Sequence, residues 1–262
     1  MKRFLCATLC LAAVAASAFA ADTSLKAVKD KGKLVLGLDD SFPPMGYRND
    51  QNEIVGYDID LAKEVSKRLG VKLVTQPIDW NAKEQELNTG KIDCIWNGFT
   101  ITDERAKAMA FTKPYLKNAQ VVVVKKDSGF KTLADLKGKK VGLQAGSSAA
   151  DALEAAVDFK ASLKQVVEFK DNLTALMDLE QKGVDAVVMD LIVANDSIKR
   201  SGKPYAVMAE SLSPENYGVG FRKADLSLRD AVQAQLEAMA KDGTLAKITT
   251  QWFGQDISVV GK

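Results

Sequence analysis

Residues able to do chemistry gather in four places along the chain. The first is Asn97-Gly98-Phe99-Thr100-Ile101-Thr102-Asp103-Glu104-Arg105, which leaves an apolar strand and enters a helix. Gly98 lets a ligand approach the backbone, Thr100 offers a hydroxyl, and Arg105 offers a planar fork that suits a carboxylate. Read alone, an arginine among Asp103, Glu104 and Lys107 is more often a solvated helix residue. The second is the loop Gln144-Ala145-Gly146-Ser147-Ser148-Ala149, whose free N–H groups at a helix start form an anion site. Its plainer reading is an N-cap on Ser147 or Ser148. The third is Asp190, directly after an apolar strand, suited either to an ammonium group or to capping the next helix. The fourth groups Asp39, Phe42 and Trp80, two aromatics that could sandwich a side chain with a carboxylate at its end. Aromatics are more often core, and Asp39-Asp40 before Pro43-Pro44 could be turn chemistry only.

Composition removes several alternatives. The chain has no histidine and three cysteines, two of which, Cys6 and Cys10, fall in the leader described below. Histidine-based triads, Cys-His pairs and the usual zinc sites are therefore excluded, and no cofactor is implied. Cys94, between Ile92 and Ile95, reads as a small buried hydrophobe. Without Lys2 and Arg3, the 36 basic residues become 34, which matches the 34 acidic ones, so nucleic acid is not an expected partner. The first residues read as an address: Lys2 and Arg3, an apolar run from Phe4 to Val14, then Ala18-Phe19-Ala20 as a small-x-small cleavage site. Residues 1–20 are thus expected to be a signal peptide and the mature chain to be a soluble, periplasmic monomer.

The elements that must hold these residues alternate in type. Leu34 to Leu38 reads as a strand, and Tyr57 to Leu69 as a helix with Ile59, Ala62, Val65 and Leu69 on one face and Gly70 as its stop. Further strands are expected at Val71 to Thr75, Ile92 to Trp96, Gln120 to Val124, Lys140 to Leu143, Val166 to Phe169, Val184 to Met189 and Tyr217 to Arg222. Helices are expected at Ala149 to Val157, Asn172 to Lys182, Leu226 to Lys241, and from beyond Gly243 to Phe253. This is an α/β pattern with mainly parallel sheets, and the length suits two lobes better than one core.

Six motifs in this order carry a resemblance: Gly56-Tyr57-Asp58-Ile59-Asp60, Gly98 through Arg105, Phe111-Thr112-Lys113-Pro114-Tyr115, Asp135 through Gly142, Asp185-Ala186-Val187, and Tyr217 through Lys223. Together they resemble the polar-amino-acid branch of bacterial extracellular solute-binding proteins, the type II periplasmic binding proteins of ABC importers. The resemblance implies two lobes joined by two hinge strands, near Lys117 to Gln120 and Pro214 to Tyr217. Lobe 1 would comprise 21–118 plus 216–262, and lobe 2 would comprise 119–215. It implies a free L-amino acid as ligand, a membrane permease as partner, and no catalysis. Arg105, Thr100 and the Ser147-Ser148 loop would grip the α-carboxylate. Asp190, helped by the Gly98 backbone, would take the α-ammonium. Phe42 and Trp80 would wall the side chain, with Asp39 and Gln144 as its polar floor; Asn97 and Phe99 complete the set. The chain departs from several relatives at Gln144 and at Asn97. Asp39 with two aromatics points to arginine, lysine or ornithine, while Asp39, Asn97 and Gln144 could equally bind the carboxamide of glutamine. An enzyme resembling cyclohexadienyl dehydratase on the same fold is the alternative from a different class, and a sensor domain ranks last.

Overall fold

The computed structural model describes residues 22–262; the expected signal peptide, with Cys6 and Cys10, lies outside them. Two five-stranded sheets organise the chain. The first runs Lys72–Pro77, Lys33–Leu38, Cys94–Ile95, Gly220–Arg222, Met109–Phe111. Its first three strands are parallel, and Gly220–Arg222 is antiparallel to both of its neighbours. The second sheet runs Gln165–Phe169, Lys140–Gln144, Ala186–Asp190, Leu116–Lys125, Tyr205–Tyr217, again with three parallel strands followed by two antiparallel pairings. A small sheet of Ser41–Phe42, Gly46–Arg48 and Ile54–Val55 lies beside the first.

The expected mainly parallel sheets are thus mixed, because Gly220–Arg222 in the first and Leu116–Lys125 in the second run antiparallel to both of their neighbours. Asn118 stands opposite Glu215, Ala119 opposite Pro214 and Leu116 opposite Tyr217. The expected strand Tyr217 to Arg222 is divided: Tyr217 ends one sheet and Gly220 enters the other. Between them the Gly218 N–H donates to the Phe99 carbonyl at 2.9 Å, and a Cβ there would stand 2.8 Å from Ile101 Cδ1. The strand expected over Ile92 to Trp96 pairs only at Cys94–Ile95.

The parallel strands are apolar because helices cover them. Every residue of Ala186–Asp190 is buried. On the first sheet, the helix Tyr57–Leu69 buries Tyr57, Ile59, Leu61, Ala62 and Val65, with Asp58 and Asp60 in its first turn and Lys67 and Arg68 in its last. These charges complement the helix dipole. Gly70, left-handed at φ 74°, donates its N–H to the Lys67 carbonyl and ends the helix. Cys94 is fully buried, and burial pushes its thiol well above the usual range, as befits a packing residue.

This architecture aims four strand ends at one place. Asp39 follows Leu38, Asn97 follows the Cys94–Ile95 strand closely, and Gln144 and Asp190 are the last residues of their strands. In open α/β sheets such carboxyl ends are where ligands bind.

Candidate functional site

Between the sheets lies a narrow pocket lined by Asp39, Phe42, Trp80, Asn97, Gly98, Thr100, Arg105, Gln144, Ser147, Ser148 and Asp190. The two sides touch directly. Gln144 Nε2 donates to Asp39 Oδ2 at 2.7 Å, and Ser148 Oγ donates to Thr100 Oγ1 at 3.1 Å.

Arg105 is not a solvated helix residue, since it is only 6% exposed. Thr102 caps its six-residue helix, Asp103–Ala108, by accepting from the Arg105 N–H at 3.2 Å. The guanidinium lies over the Phe99 ring, 4.7 Å from its centroid. Nη1 donates to the Thr100 carbonyl at 3.0 Å and Nη2 to the Gly146 carbonyl at 3.3 Å. Three of its five N–H donors keep no protein partner among the described residues. Burial draws its pKa down, opposed by the more distant Asp151, Glu215, Glu84 and Asp190. A buried guanidinium with spare donors is a receptor for a planar anion.

Phe99 differs from the other eleven sequence-derived residues. It is fully buried behind the cavity wall, edge-on to Trp80 at 5.7 Å and packed on Phe111 at 5.2 Å, so it supports Arg105 and Trp80 from below. Its side chain is thus not among those that line the pocket. Alternation along the chain turns its ring away from the face that Gly98 and Thr100 present.

The capping alternatives do not materialise. Ser147 occupies the N-cap of Ser148–Ala155 without a side-chain cap bond, and its Oγ donates to the Gln144 carbonyl at 2.7 Å. Asp190 likewise holds the N-cap position of Leu191–Ser201 with no side-chain cap bond. Its Oδ1 instead accepts from Asn118 Nδ2 at 2.6 Å and Tyr217 Oη at 2.7 Å. Burial pushes the Asp190 pKa up, and the neighbouring Glu215 carboxylate adds to the rise.

Asp39 combines turn chemistry with a place in the wall. Its Oδ1 accepts from the Ser41 N–H at 2.9 Å and Ser41 Oγ at 2.5 Å, leaving Oδ2 to Gln144. Burial raises its pKa against these hydrogen bonds. Asn97 Oδ1 accepts from the Asp39 N–H at 3.0 Å, while Asn97 Nδ2 is buried against Gly46 without a partner. Gly98 needs its left-handed backbone, φ 58°, and its lack of a side chain: a Cβ would stand 3.0 Å from Phe42 and 3.2 Å from Tyr217.

Five residues around the cavity were not given a role from sequence. Asp58, fully buried, accepts from the Gly98 N–H at 2.6 Å and from Tyr115 Oη at 2.9 Å, and burial lifts its pKa to about 7. Lys83, also buried, donates across the cleft to the Gly146 carbonyl at 2.8 Å, and burial lowers its pKa to about 8. Asn118, Glu215 and Tyr217 surround Asp190 from the paired long strands. Asp58 and Tyr217 sit inside motifs already singled out; Asn118 and Glu215 are brought in by strand register alone.

The family model for bacterial extracellular solute-binding proteins, family 3, matches residues 34–255. The chain belongs to that family. The L-cystine-binding protein TcyJ of Escherichia coli strain K12 is 33% identical over 250 residues, covering 95% of this chain and 92% of its own length. The solved structure of an ABC uptake transporter substrate-binding protein from Streptococcus pneumoniae with bound histidine has a TM-score of 0.88 at 36% identity, covering 91% of this chain and 99% of that one. That of Tv2483 bound to L-arginine has a TM-score of 0.88 at 35% identity, covering 92% of this chain and 98% of that one. The fold is that of the type II periplasmic binding proteins, and the member described here is an amino-acid-binding component of an ABC importer. Among the described residues no helix is long and apolar enough to cross a membrane.

Proposed function

We propose that this protein, exported to the periplasm by a cleaved leader, closes its two lobes on a free basic amino acid, arginine, lysine or ornithine, and delivers it to a membrane permease without chemical change. The observation that carries the ligand class is the charge count of the wall. The lining side chains include one cation, Arg105, and two carboxylates, Asp39 and Asp190. A basic amino acid carries the complementary set, one carboxylate and two cationic groups. Adding the nearby Lys83, Glu215 and Asp58 keeps the acids in excess. Charges enclosed away from water need opposite partners, so a neutral ligand would leave one carboxylate uncompensated.

In this reading the α-carboxylate takes the spare donors of Arg105, with Thr100, Ser147 and Ser148 beside it. The α-ammonium meets Asp190, and Gly98 gives it room. The side chain runs between Phe42 and Trp80 to Asp39, whose Oδ2 has one acceptor position beyond Gln144. Contacts come from both sheets, so a ligand collects all of them only when the lobes are closed. The hinge is the pair of long strands where Asn118 faces Glu215, and lobe 2 is the stretch 119–215 between the crossings.

Glutamine is the second reading, favoured by one observation: Asp39, Asn97 and Gln144, which could equally bind a carboxamide, all line the pocket. Isothermal titration with the common amino acids, ornithine and cystine decides. Basic amino acids should bind tightest. A neutral amino acid or cystine binding more tightly than every basic one would overturn the ligand class, and no binding by any of them would overturn the whole proposal.

A further inference from the structure

Glu215 stands outside the pocket wall, yet it accepts as many hydrogen bonds as Asp39 does within it. Its Oε2 accepts from Thr100 Oγ1 at 3.0 Å, Gln120 Nε2 at 3.0 Å and Asn118 Nδ2 at 3.1 Å. These donors come from the first sheet's end and from the facing long strand. The same Asn118 nitrogen donates to Asp190 Oδ1, so one amide is shared by two carboxylates. Gln120 extends the network to Ser148, which in turn donates to Thr100. Glu215 therefore links both sides of the cleft, the paired strands and Asp190. The only guanidinium in the cavity wall, Arg105, is turned to the Thr100 and Gly146 carbonyls and forms no ion pair with either acid. Tyr217 Oη is the other polar group on Asp190.

We propose that Glu215 and Asp190 act as a paired-carboxylate gate that makes lobe closure conditional on a ligand carrying a free ammonium group, with Glu215 as a positioning and specificity-determining residue. This rests on the reading of Asp190 as the ammonium partner and adds a second acid to it. While the cleft is open, water separates two neighbouring carboxylates at little cost. Closure removes that water, and like charges in a low-dielectric site repel strongly. An ammonium placed between the cleft and Asp190 offsets the repulsion, so a loaded cleft closes and an empty one resists. An uncharged substituent in that position, such as the hydrogen of a des-amino acid, leaves the repulsion in place. Selection for the α-amino group then exceeds what Asp190 alone would give.

The test uses Glu215→Gln and Glu215→Asp in the full mature chain. Spin labels on exposed positions, one on each lobe, report the lobe separation of the ligand-free protein. Titration compares L-arginine, L-glutamine and the des-amino analogue of whichever binds. Glu215→Gln keeps the acceptor for Thr100, Gln120 and Asn118 but removes the charge. It should raise the closed fraction of the ligand-free protein, weaken amino-acid binding by about tenfold, and narrow the preference over the des-amino analogue. Glu215→Asp should restore most of that preference. These opposite effects on closure and affinity would not follow from a merely structural role. Should neither variant fold, Asp190→Asn should raise the ligand-free closed fraction in the same way. Unchanged closure and unchanged ammonium preference in Glu215→Gln would overturn the gate while leaving amino-acid binding intact. Failure of the unaltered protein to bind any amino acid would instead overturn the function on which the gate rests.

Discussion

Replacing Arg105 with alanine separates binding from folding more sharply than any other change. In the free protein the guanidinium is buried, stacked on Phe99 and bonded to two carbonyls, with no carboxylate in ion-pair contact. Its truncation forfeits those bonds but also relieves the cost of holding an unpaired cation away from water, and the two terms oppose each other. The melting temperature without ligand should therefore stay within about 4 °C of the parent. The bound state has no such compensation. An enclosed ligand carboxylate would lose its only cationic partner in the wall, which costs about 3 to 5 kcal/mol. Affinity should fall by roughly a hundredfold to several thousandfold. Arg105→Lys keeps the charge but loses the planar fork, and its affinity should lie between the two. Calorimetric titration gives the affinities, and differential scanning calorimetry with and without ligand gives the stabilities. Binding by Arg105→Ala within threefold of the parent, with an unaltered circular dichroism spectrum, would refute the assignment. Full recovery in Arg105→Lys would refute the argument from the fork.

Other perturbations probe the groups behind the wall. Asp58 ionises in the folded protein near pH 7 against an ordinary value of 3.8, so between about pH 4 and 7 the folded state holds the extra proton. Its contribution to stability is full below about pH 4 and is lost as pH climbs through 7. Asp58→Asn, which keeps an acceptor for Gly98 and Tyr115, should flatten the dependence of urea-unfolding stability on pH over that window; an unchanged slope would sink this account. Gly98→Ala forces a Cβ at φ 58° to within 3.0 Å of Phe42, and should cost about 1–2 kcal/mol in stability and displace the aromatic wall. Normal ligand affinity in that variant would show that the position of Phe42 is not needed. Lys83→Met removes the 2.8 Å bond across the cleft while keeping most of the aliphatic packing. Ligand release measured by stopped flow should quicken by about tenfold, and an unaltered rate would deny Lys83 a part in holding the cleft shut.

Much of this was legible before any coordinates, for reasons that can be named. The helix Tyr57–Leu69 and the helix Leu226–Lys241 have the bounds that their periodicity predicts, because glycine stops and dipole-matched charges mark local events. The site residues Arg105, Asp190 and Gln144 follow from their places after apolar runs. Of the long strand Tyr205–Tyr217 only the crossing near Pro214 to Tyr217 was expected, from the resemblance, since its exposed, polar middle reads as loop. Only pairing with Leu116–Lys125 makes it a strand, and pairing is not local. Asn118 and Glu215 were missed for the same reason. Lys83 was missed because a lysine after Trp80 looks like a solvated helix start, and nothing in its neighbours says that Gly146 will close over it. The burial of Arg105 among Asp103, Glu104 and Lys107 is likewise a tertiary fact.

The position of Gly220–Arg222 bears on how the molecule is made. That strand fits between Cys94–Ile95 and Met109–Phe111, yet it is separated from both by the whole second sheet, whose strands run without interruption from Leu116 to Tyr217. A chain emerging from its amino end can complete the second sheet from consecutive residues. The first sheet must wait with a vacant slot and an unsatisfied edge until residue 222 arrives. Its ladder closes by pairings of Gly220 with Ile95 and Phe111, far apart in the chain, and such long-range pairings are slow to find. Truncation between Tyr217 and Gly220 would therefore leave a complete second sheet attached to a first sheet that cannot finish, and the last strand in becomes a checkpoint on the integrity of the whole chain.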